Sequence, residues 1–349
     1  MKNWLIYGAN GYTGRLIAQQ AKHLGLQPIL AGRSADIQAL GTQLGLPVRQ
    51  FDLSNQAASS KALADVQLVL NCAGPFSATA APMLQACLAA GAHYLDITGE
   101  YRVFEHAHSL HEQAQAAGVV LCPGVGFDVV PTDCVAVALK AAMPDAVELT
   151  LGFDTASGLS PGTSKTMLEN LAHGGKVREH GELLSVPNGY KKRLVDFGYG
   201  PKWAMTIPWG DVVTAYYSTA IPAISVYVPT AKPLIQLMRS LDGIRPAFAW
   251  PWLQRLLTGV INRWVKGPTA EQRTALRTAV WGEVRNAKGE VKTARIETDN
   301  GYELTMHSAL HVVQWLLANP QPGGYSTPAQ LLGWQLVEQL PGSSKLYIS

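Results

Sequence analysis

Trp4-Leu5-Ile6-Tyr7 runs straight into Gly8-Ala9-Asn10-Gly11-Tyr12-Thr13-Gly14 and then into a helical pattern, and this stretch decides the fold. Four apolar residues make a short buried strand, and the glycines after it are spaced G-x-x-G-x-x-G. Gly8 permits a tight turn, Gly11 lets the backbone approach a pyrophosphate, and Gly14 lets the helix lie close to the strand. Amides that open a helix lack partners within it, and the helix dipole favours an anion there. A glycine triplet alone is a weak signal. With a strand before it and a helix after it, it reads as a dinucleotide-binding loop contributed by Gly8, Asn10, Gly11, Tyr12, Thr13 and Gly14.

Working outward, apolar runs of strand length at 4–7, 28–31, 48–51, 68–71, 93–97 and 119–122 alternate with helical periods at 12–24, 35–44, 56–64, 80–90 and 103–117. Continuous apolar strands joined by short crossovers predict an α/β fold with a doubly wound parallel sheet of the Rossmann type. The nucleotide is selected after the second strand, where Ala31-Gly32-Arg33-Ser34 offers a guanidinium and a hydroxyl in place of the acid that holds a ribose 2′-hydroxyl. A guanidinium suits a 2′-phosphate, so NADP is expected over NAD. Asp52, after the third strand, is expected either near the adenine edge or as a helix cap.

Ligands of such sheets lie beyond the carboxyl ends of the strands. Three loops there are unusual: Asn71-Cys72-Ala73-Gly74-Pro75-Phe76, Asp96-Ile97-Thr98-Gly99-Glu100, and Pro123-Gly124-Val125-Gly126-Phe127-Asp128 continuing to Asp133. Ala73, Gly74 and Pro75 present a small backbone that could pass the nicotinamide ribose. Asp96, Glu100, Asp128 and Asp133 are placed on one rim, with helix capping as the alternative role of each.

The blocks GANGYTG, LAGRS, NCAGPF, YLDITGE and PGVGFDVVPTD together resemble the saccharopine dehydrogenase-like oxidoreductases, a family that includes trans-acting enoyl reductases of bacterial lipid synthesis. Ile207-Pro208-Trp209-Gly210-Asp211, Gly267-Pro268 with Arg273, and Gly324-Tyr325-Ser326-Thr327-Pro328-Ala329 resemble later blocks of that family. The resemblance implies an NADP-dependent reductase with a Rossmann domain and a mixed α/β substrate domain, and Gly8, Gly11, Gly14 and Arg33 as cofactor contacts. Its C-terminal helices would then pack back on the nucleotide domain.

From residue 146 the pattern changes. A strand at 147–153 and a hairpin of 274–285 with 290–298 around Asn286-Ala287-Lys288-Gly289 predict a second, α+β domain with a mixed or antiparallel sheet. Helices are expected at 303–317 and 329–339. The division expected is 1–130 for the nucleotide domain, 131–306 for substrate and dimerisation, and 307–349 for the C-terminal helices. Residues 160–164, Ser-Pro-Gly-Thr-Ser, read as a helix start that could hold an oxyanion.

Hydride transfer also needs a proton, and Tyr94, Glu100, Asp128 and Lys165 are the chemically able donors. No tyrosine has lysine four residues later, which closes the short-chain reductase route. Cys122 and Cys134 could form a thioester but lack a nucleophile's sequence context. On a helix His106 and His108 point about 200° apart, so no metal is expected.

Composition bounds the rest. Charged residues are 15% of 349, below the usual ~25%, and the net charge of +3 gives no reason to expect nucleic acid. Low charge and nine tryptophans suggest an apolar, lipid-like substrate and a homo-oligomer. Four cysteines without C-x-x-C spacing, and an N-terminal apolar run at 4–7 too short for a signal peptide, suggest the cytoplasm. The uncharged run 212–231 is about a bilayer span long, yet its prolines and β-branched residues read as two buried strands. Trp250-Pro251-Trp252 through Trp264, within 245–266, is the candidate for peripheral membrane contact, with a dimer or domain contact as its rival. The expected function is an NADPH-dependent reduction of an activated C=C, C=N or C=O group, and the alternative is an NADP-binding sensor without turnover.

Overall fold

The computed structural model describes residues 3–155, 164, 168, 172–265 and 269–349. The chain forms two compact units, Met1–Val130 with Tyr302–Leu332, and Pro131–Gly301 with Gly333–Ser349.

In the first unit β1 (Trp4–Tyr7), α1 (Tyr12–His23), β2 (Ile29–Gly32), α2 (Asp36–Leu44), β3 (Val48–Gln50), α3 (Gln56–Leu63), β4 (Leu68–Asn71), α4 (Phe76–Ala90), β5 (His93–Asp96), α5 (Tyr101–Ser109), α6 (His111–Ala116) and β6 (Val120–Cys122) follow in turn. All strand pairs are parallel, in the order β6-β5-β4-β1-β2-β3, and the short strand Gly324–Tyr325 adds beside β6. The order reverses between β1 and β4, and that switch point opens a crevice at the carboxyl edge. β1, β2 and β4 are buried at every position, as sheets covered by helices on both faces require.

Two helices differ from the sequence expectation. α4 begins one turn early, at Phe76, because a distant carboxylate supplies the partners its first amides need. The period over 103–117 is broken at Leu110 into α5 and α6.

In the second unit α7 (Val130–Ala142) leads to β7 (Ala146–Thr155), β8 (Gly175–Glu179), β9 (Glu182–Val186), β10 (Lys192–Asp196), β11 (Pro201–Ile207), β12 (Ala223–Pro229), β13 (Arg277–Asn286) and β14 (Val291–Asp299). The sheet is mixed: β10-β11-β12-β7-β13-β14 and Tyr347–Ile348 form its path, with β8 on β12 and β9 on β8. β7 and β12 are parallel and the other pairs antiparallel. α7 lies against β13 at Gly282, where an added Cβ would sit 2.5 Å from Val135. Phe197, Tyr227 and Trp281 pack in one cluster of this unit.

The run 212–231 is not a pair of strands. It is the helix Asp211–Thr219 followed by β12, with Val212, Val213, Thr214 and Ala215 all buried. β-branched preference amounts to about 1 kcal/mol or less per residue, and burial of a continuous helical face outweighs it. The final helix breaks at Gly333, whose φ of 84° is left-handed, into Pro328–Leu332 and Leu336–Gln339. The sequence assigns 307–349 to one block, whereas Gly333–Ser349 groups with the second unit through the pairing of Tyr347–Ile348 with β14. Lys165, the 160–163 turn and Gly267-Pro268 lie outside the described residues.

Candidate functional site at the carboxyl edge of the parallel sheet

Tyr7 and Asn71 are partners in register, so β1 and β4 end at the same level. The Gly8 amide donates to the Ala31 carbonyl at 2.8 Å, fastening the turn to β2, and Gly8 has a φ of 77°. A Cβ there would lie 2.7 Å from the Ala73 amide nitrogen, and one at Gly14 would lie 2.3 Å from the Gly8 carbonyl oxygen. These are backbone collisions that no rotamer relieves. Gly11 is the N-cap of α1, no side chain caps that helix, and its first turn holds no acid. The turn therefore presents backbone donors with a favourable dipole and no competing carboxylate, which fits a diphosphate. Asn10 folds toward β2, its Oδ1 3.1 Å from where a Cβ of Gly32 would be. Tyr12 packs edge-on against Tyr302, ring centroids 5.2 Å apart, and Thr13 follows it half-buried in the first turn.

Arg33 is exposed just past β2, its carbonyl held by the Gln50 side-chain amide at 3.1 Å. The charges of Arg33 and Asp52 both act on the buried Tyr7 hydroxyl, which places the two groups together at this end of the sheet. Asp52 does not cap α3. Its carboxylate accepts the Ser54 amide at 2.9 Å, and that bond first, with a smaller pull from Arg33, holds it below the ordinary carboxylate range. Asn55 is the cap, accepting from the Ala58 amide. Ser34 donates to Asp36 at 2.9 Å, so the first acid of α2 lies beside the hydroxyl expected to face the 2′-phosphate.

The loop after β4 is clamped from three sides. The Asn71 Oδ1 accepts the Ala73 amide at 3.1 Å, and the Thr79 hydroxyl donates to the Ala73 carbonyl at 2.5 Å. Glu100 accepts the amides of Phe76 at 3.0 Å and Ser77 at 2.7 Å with its two oxygens. Gly74 and Pro75, joined by a cis peptide bond, lie between these clamps. Glu100 is thus the charged cap of α4, a distribution of negative charge that the helix dipole favours.

Tyr94 is fully buried, donates to Asp96 at 2.6 Å and accepts from the Asn71 side chain at 3.4 Å. Burial, then the Asp96 charge, drives its hydroxyl well above the usual tyrosine range. Asp96 in turn accepts the amides of Thr98 at 3.0 Å and Gly124 at 2.8 Å, which ties the loops after β5 and β6 to each other. Burial raises Asp96 to about 6 even so.

Asp128 lies on the loop after β6. It is half-buried and lies over the Gly99 backbone, so close that a Cβ on Gly99 would be 2.7 Å from its Oδ2. Burial first, and the Glu100 charge second, push its carboxyl up to about 7. The loop that carries it is pinned by the Gly301–Ala318 helix: Thr305 accepts the Phe127 amide at 2.9 Å, and Ser308 donates to the Val125 carbonyl at 2.7 Å. Sequence reasoning missed Thr305, Ser308, Asn71 and Thr79. The available signal was a pair of hydroxyls three apart on a helix, which puts both on one face.

Of the four donors expected from sequence, the structure brings three to this edge and gives them different surroundings. Tyr94 is enclosed in the sheet and committed to Asp96, Glu100 is committed to α4, and Asp128 alone combines partial exposure with a neutral-range carboxyl. Asp133 is buried in the first turn of α7, which belongs to the second unit. Cys122 and Cys134 are fully buried, and burial drives the Cys134 thiol well above the usual range, which disfavours a thiolate. A cleft of about 460 Å³ opens in the second unit, but its charges are answered locally, Lys191 by Glu179 and Arg193 by Glu283.

A doubly wound parallel sheet whose first turn is a glycine cradle on an uncapped helix defines a dinucleotide-binding domain. Residues 4–122 match the family model described as saccharopine dehydrogenase NADP binding domain. A trans-acting enoyl reductase of Mycobacterium tuberculosis is 33% identical over 138 residues, 37% of this chain and 33% of that protein. A saccharopine dehydrogenase-like oxidoreductase of Mus musculus is 30% identical over 150 residues, 37% of this chain and 35% of its own length. The chain spans between a third and about half the length of the curated relatives it matches. The apo saccharopine dehydrogenase (L-Glu forming) of Saccharomyces cerevisiae superposes over 100% of both chains with a TM-score of 0.68 at 13% identity, a likeness of fold.

Proposed function

We propose that the protein is an NADPH-dependent reductase acting on an activated C=C, C=N or C=O group of an apolar substrate. The observation that carries this reading is Asp128, a half-buried carboxyl raised to about 7 at the edge of a dinucleotide-binding sheet. NADPH, when bound, supplies the hydride. The Gly8–Gly14 turn holds its diphosphate, and Arg33 with Ser34 takes the 2′-phosphate. Ala73 and Gly74, fixed by Asn71, Thr79 and Glu100, shape the floor where the substrate must lie. Asp128 is half protonated near pH 7 and hands its proton to the substrate atom that gains negative charge, leaving a carboxylate that bulk water reprotonates. The low charged content of the chain and the enoyl reductases among its relatives support an apolar substrate with a polarised double bond.

The test is stopped-flow oxidation of bound NADPH against a panel of enoyl, imine and carbonyl acceptors. At least one acceptor should oxidise it, and Asp128→Asn should lower that rate by about 10²–10⁴-fold while leaving NADPH affinity within a few fold. The proton sits on Asp128 below about pH 7, so the rate should fall as pH rises through that value. No oxidation with any acceptor would defeat the reading and leave a nucleotide-binding sensor.

A further inference from the structure

The helix Pro251–Trp264 presents large apolar side chains to solvent. Isolated helices of this length are marginal in water, and protein helices persist by burying one face. None of its described residues is buried. Its exposed positions are 252, 255, 256, 259, 260, 263 and 264, a spacing of three and four that traces a single face. That face carries Trp252 at 60%, Leu256 at 58%, Val260 at 50% and Trp264 at 75% exposure, flanked by Arg255 and Arg263.

The preceding elements continue the pattern. The helix Lys232–Leu241 is seated by Ile235, which is buried near Gly189 and Met205, and it exposes Leu234 and Leu237. The 3₁₀ segment Asp242–Ala249 is anchored by Asp242, which accepts the Asn188 amide at 2.8 Å and pairs with Arg245 at 3.2 Å. Asp242 is the sole acid in 232–265, against the five basic residues Lys232, Arg239, Arg245, Arg255 and Arg263. With that acid engaged by Arg245, the outward field of the segment is positive.

We propose that 232–265 docks on an anionic lipid surface, with the exposed face of Pro251–Trp264 lying in the plane of the headgroups. Tryptophans at the two ends of the face, about 18 Å apart along the axis, suit the interfacial layer, and Leu256 and Val260 between them enter the acyl boundary. Arg255 and Arg263 reach lipid phosphates while their stems stay on the apolar side. No described helix is long and apolar enough to cross a membrane, so the contact is in-plane. The argument is independent of the reductase reading, because it uses neither the nucleotide turn nor Asp128.

The test is flotation of the full chain with vesicles of phosphatidylcholine alone and of phosphatidylcholine with about a third phosphatidylglycerol. The chain should float with the anionic vesicles and release at high salt. Trp252→Ser with Trp264→Ser should lower partitioning tenfold or more, by the loss of about two large apolar side chains. Arg255→Gln with Arg263→Gln should lower it about 25-fold on anionic vesicles, roughly fivefold per charge. All four side chains are solvent-facing, so both variants should keep the parent's circular dichroism and melting temperature. Absence of flotation, or flotation unchanged in both variants, would overturn the proposal. So would a dimer in sedimentation equilibrium that the tryptophan variant alone converts to monomer, which would assign the face to a second copy of the chain.

Discussion

The carboxyl edge of the parallel sheet and the outer strands of the mixed sheet hold their polar groups differently. At the carboxyl edge of the parallel sheet, Asn71, Asp96, Thr98 and Glu100 are buried and spend their hydrogen-bonding capacity on backbone amides and on one another. In the mixed sheet the first four residues of β10 alternate exposed and covered positions, and several charges sit in pairs partly open to water, such as Lys202 with Asp154 and Arg193 with Glu283. Removal from water magnifies each interaction at the first site, and high dielectric dilutes it at the second. Asp96 and Asp128, carboxyls raised to about 6 and about 7, lie at the first. Burial at this edge is the first cause of the raised carboxyl of Asp128, the residue proposed as proton donor.

The strongest way to break this contrast is at the turn. Gly14→Val should abolish measurable NADPH binding, because even its first carbon would sit 2.3 Å from the Gly8 carbonyl oxygen. A titration by cofactor fluorescence, with circular dichroism to confirm folding, reads the result. Retained affinity would mean that the turn is not the cradle. Arg33→Ala comes next, with an expected loss of roughly 10–100-fold in NADPH affinity, the worth of a charged hydrogen-bonded pair. NADH affinity should change little. Equal losses for the two nucleotides would remove the 2′-phosphate assignment, and a small loss for both would point to Asp36 beside Ser34 as a competing charge.

Much of the parallel unit was legible because its signals are local. Strands such as Leu68–Asn71 are apolar throughout, and the glycine turn announces itself within seven residues. The helix Asp211–Thr219 was misread as strand because valine and threonine preferences are weak, and only tertiary burial decides them. Glu100 reads as an acid on a rim. Its role as cap of α4 depends on amides 23 and 24 residues away, which no local pattern encodes. Thr305, 178 residues from Phe127, is further still beyond the reach of periodicity.

Glu100 also sharpens the contrast through pH. Its charge raises Asp128, so Glu100→Gln should move the midpoint of the reductase pH profile below about 7. The sign follows from the proton. With Asp128 as the proposed proton donor, activity should be full at low pH and decline as pH rises, and the decline should begin earlier without the neighbouring charge. Stability follows the same group. A carboxyl raised from 3.8 to about 7 gives stability that is greatest below pH 4 and is lost as pH climbs through 7, so the variant should show a shallower loss over that window. Glutamine still accepts one amide, and weakening of the cap should cost about 0.5–2 kcal/mol. An unmoved midpoint would separate Asp128 from the observed titration.

The smallest effect tests whether distant pinning matters to the rim. Thr305→Val keeps the shape of the side chain but removes the acceptor of the Phe127 amide, beside the residue proposed as donor. An unsatisfied amide there should cost about 1–3 kcal/mol, whereas Thr305→Ser restores the hydroxyl and should recover most of it. Lys202→Met, which deletes an exposed ion pair of the mixed sheet, should cost only about 0–1 kcal/mol. Urea unfolding measures all three. Because Asp128 follows Phe127 directly, Thr305→Val should also lower kcat with little change in NADPH affinity, a split that a purely structural bond would not produce. Equal destabilisation by Thr305→Val and Lys202→Met would mean that the bond to the Phe127 amide is worth no more than an ion pair open to water.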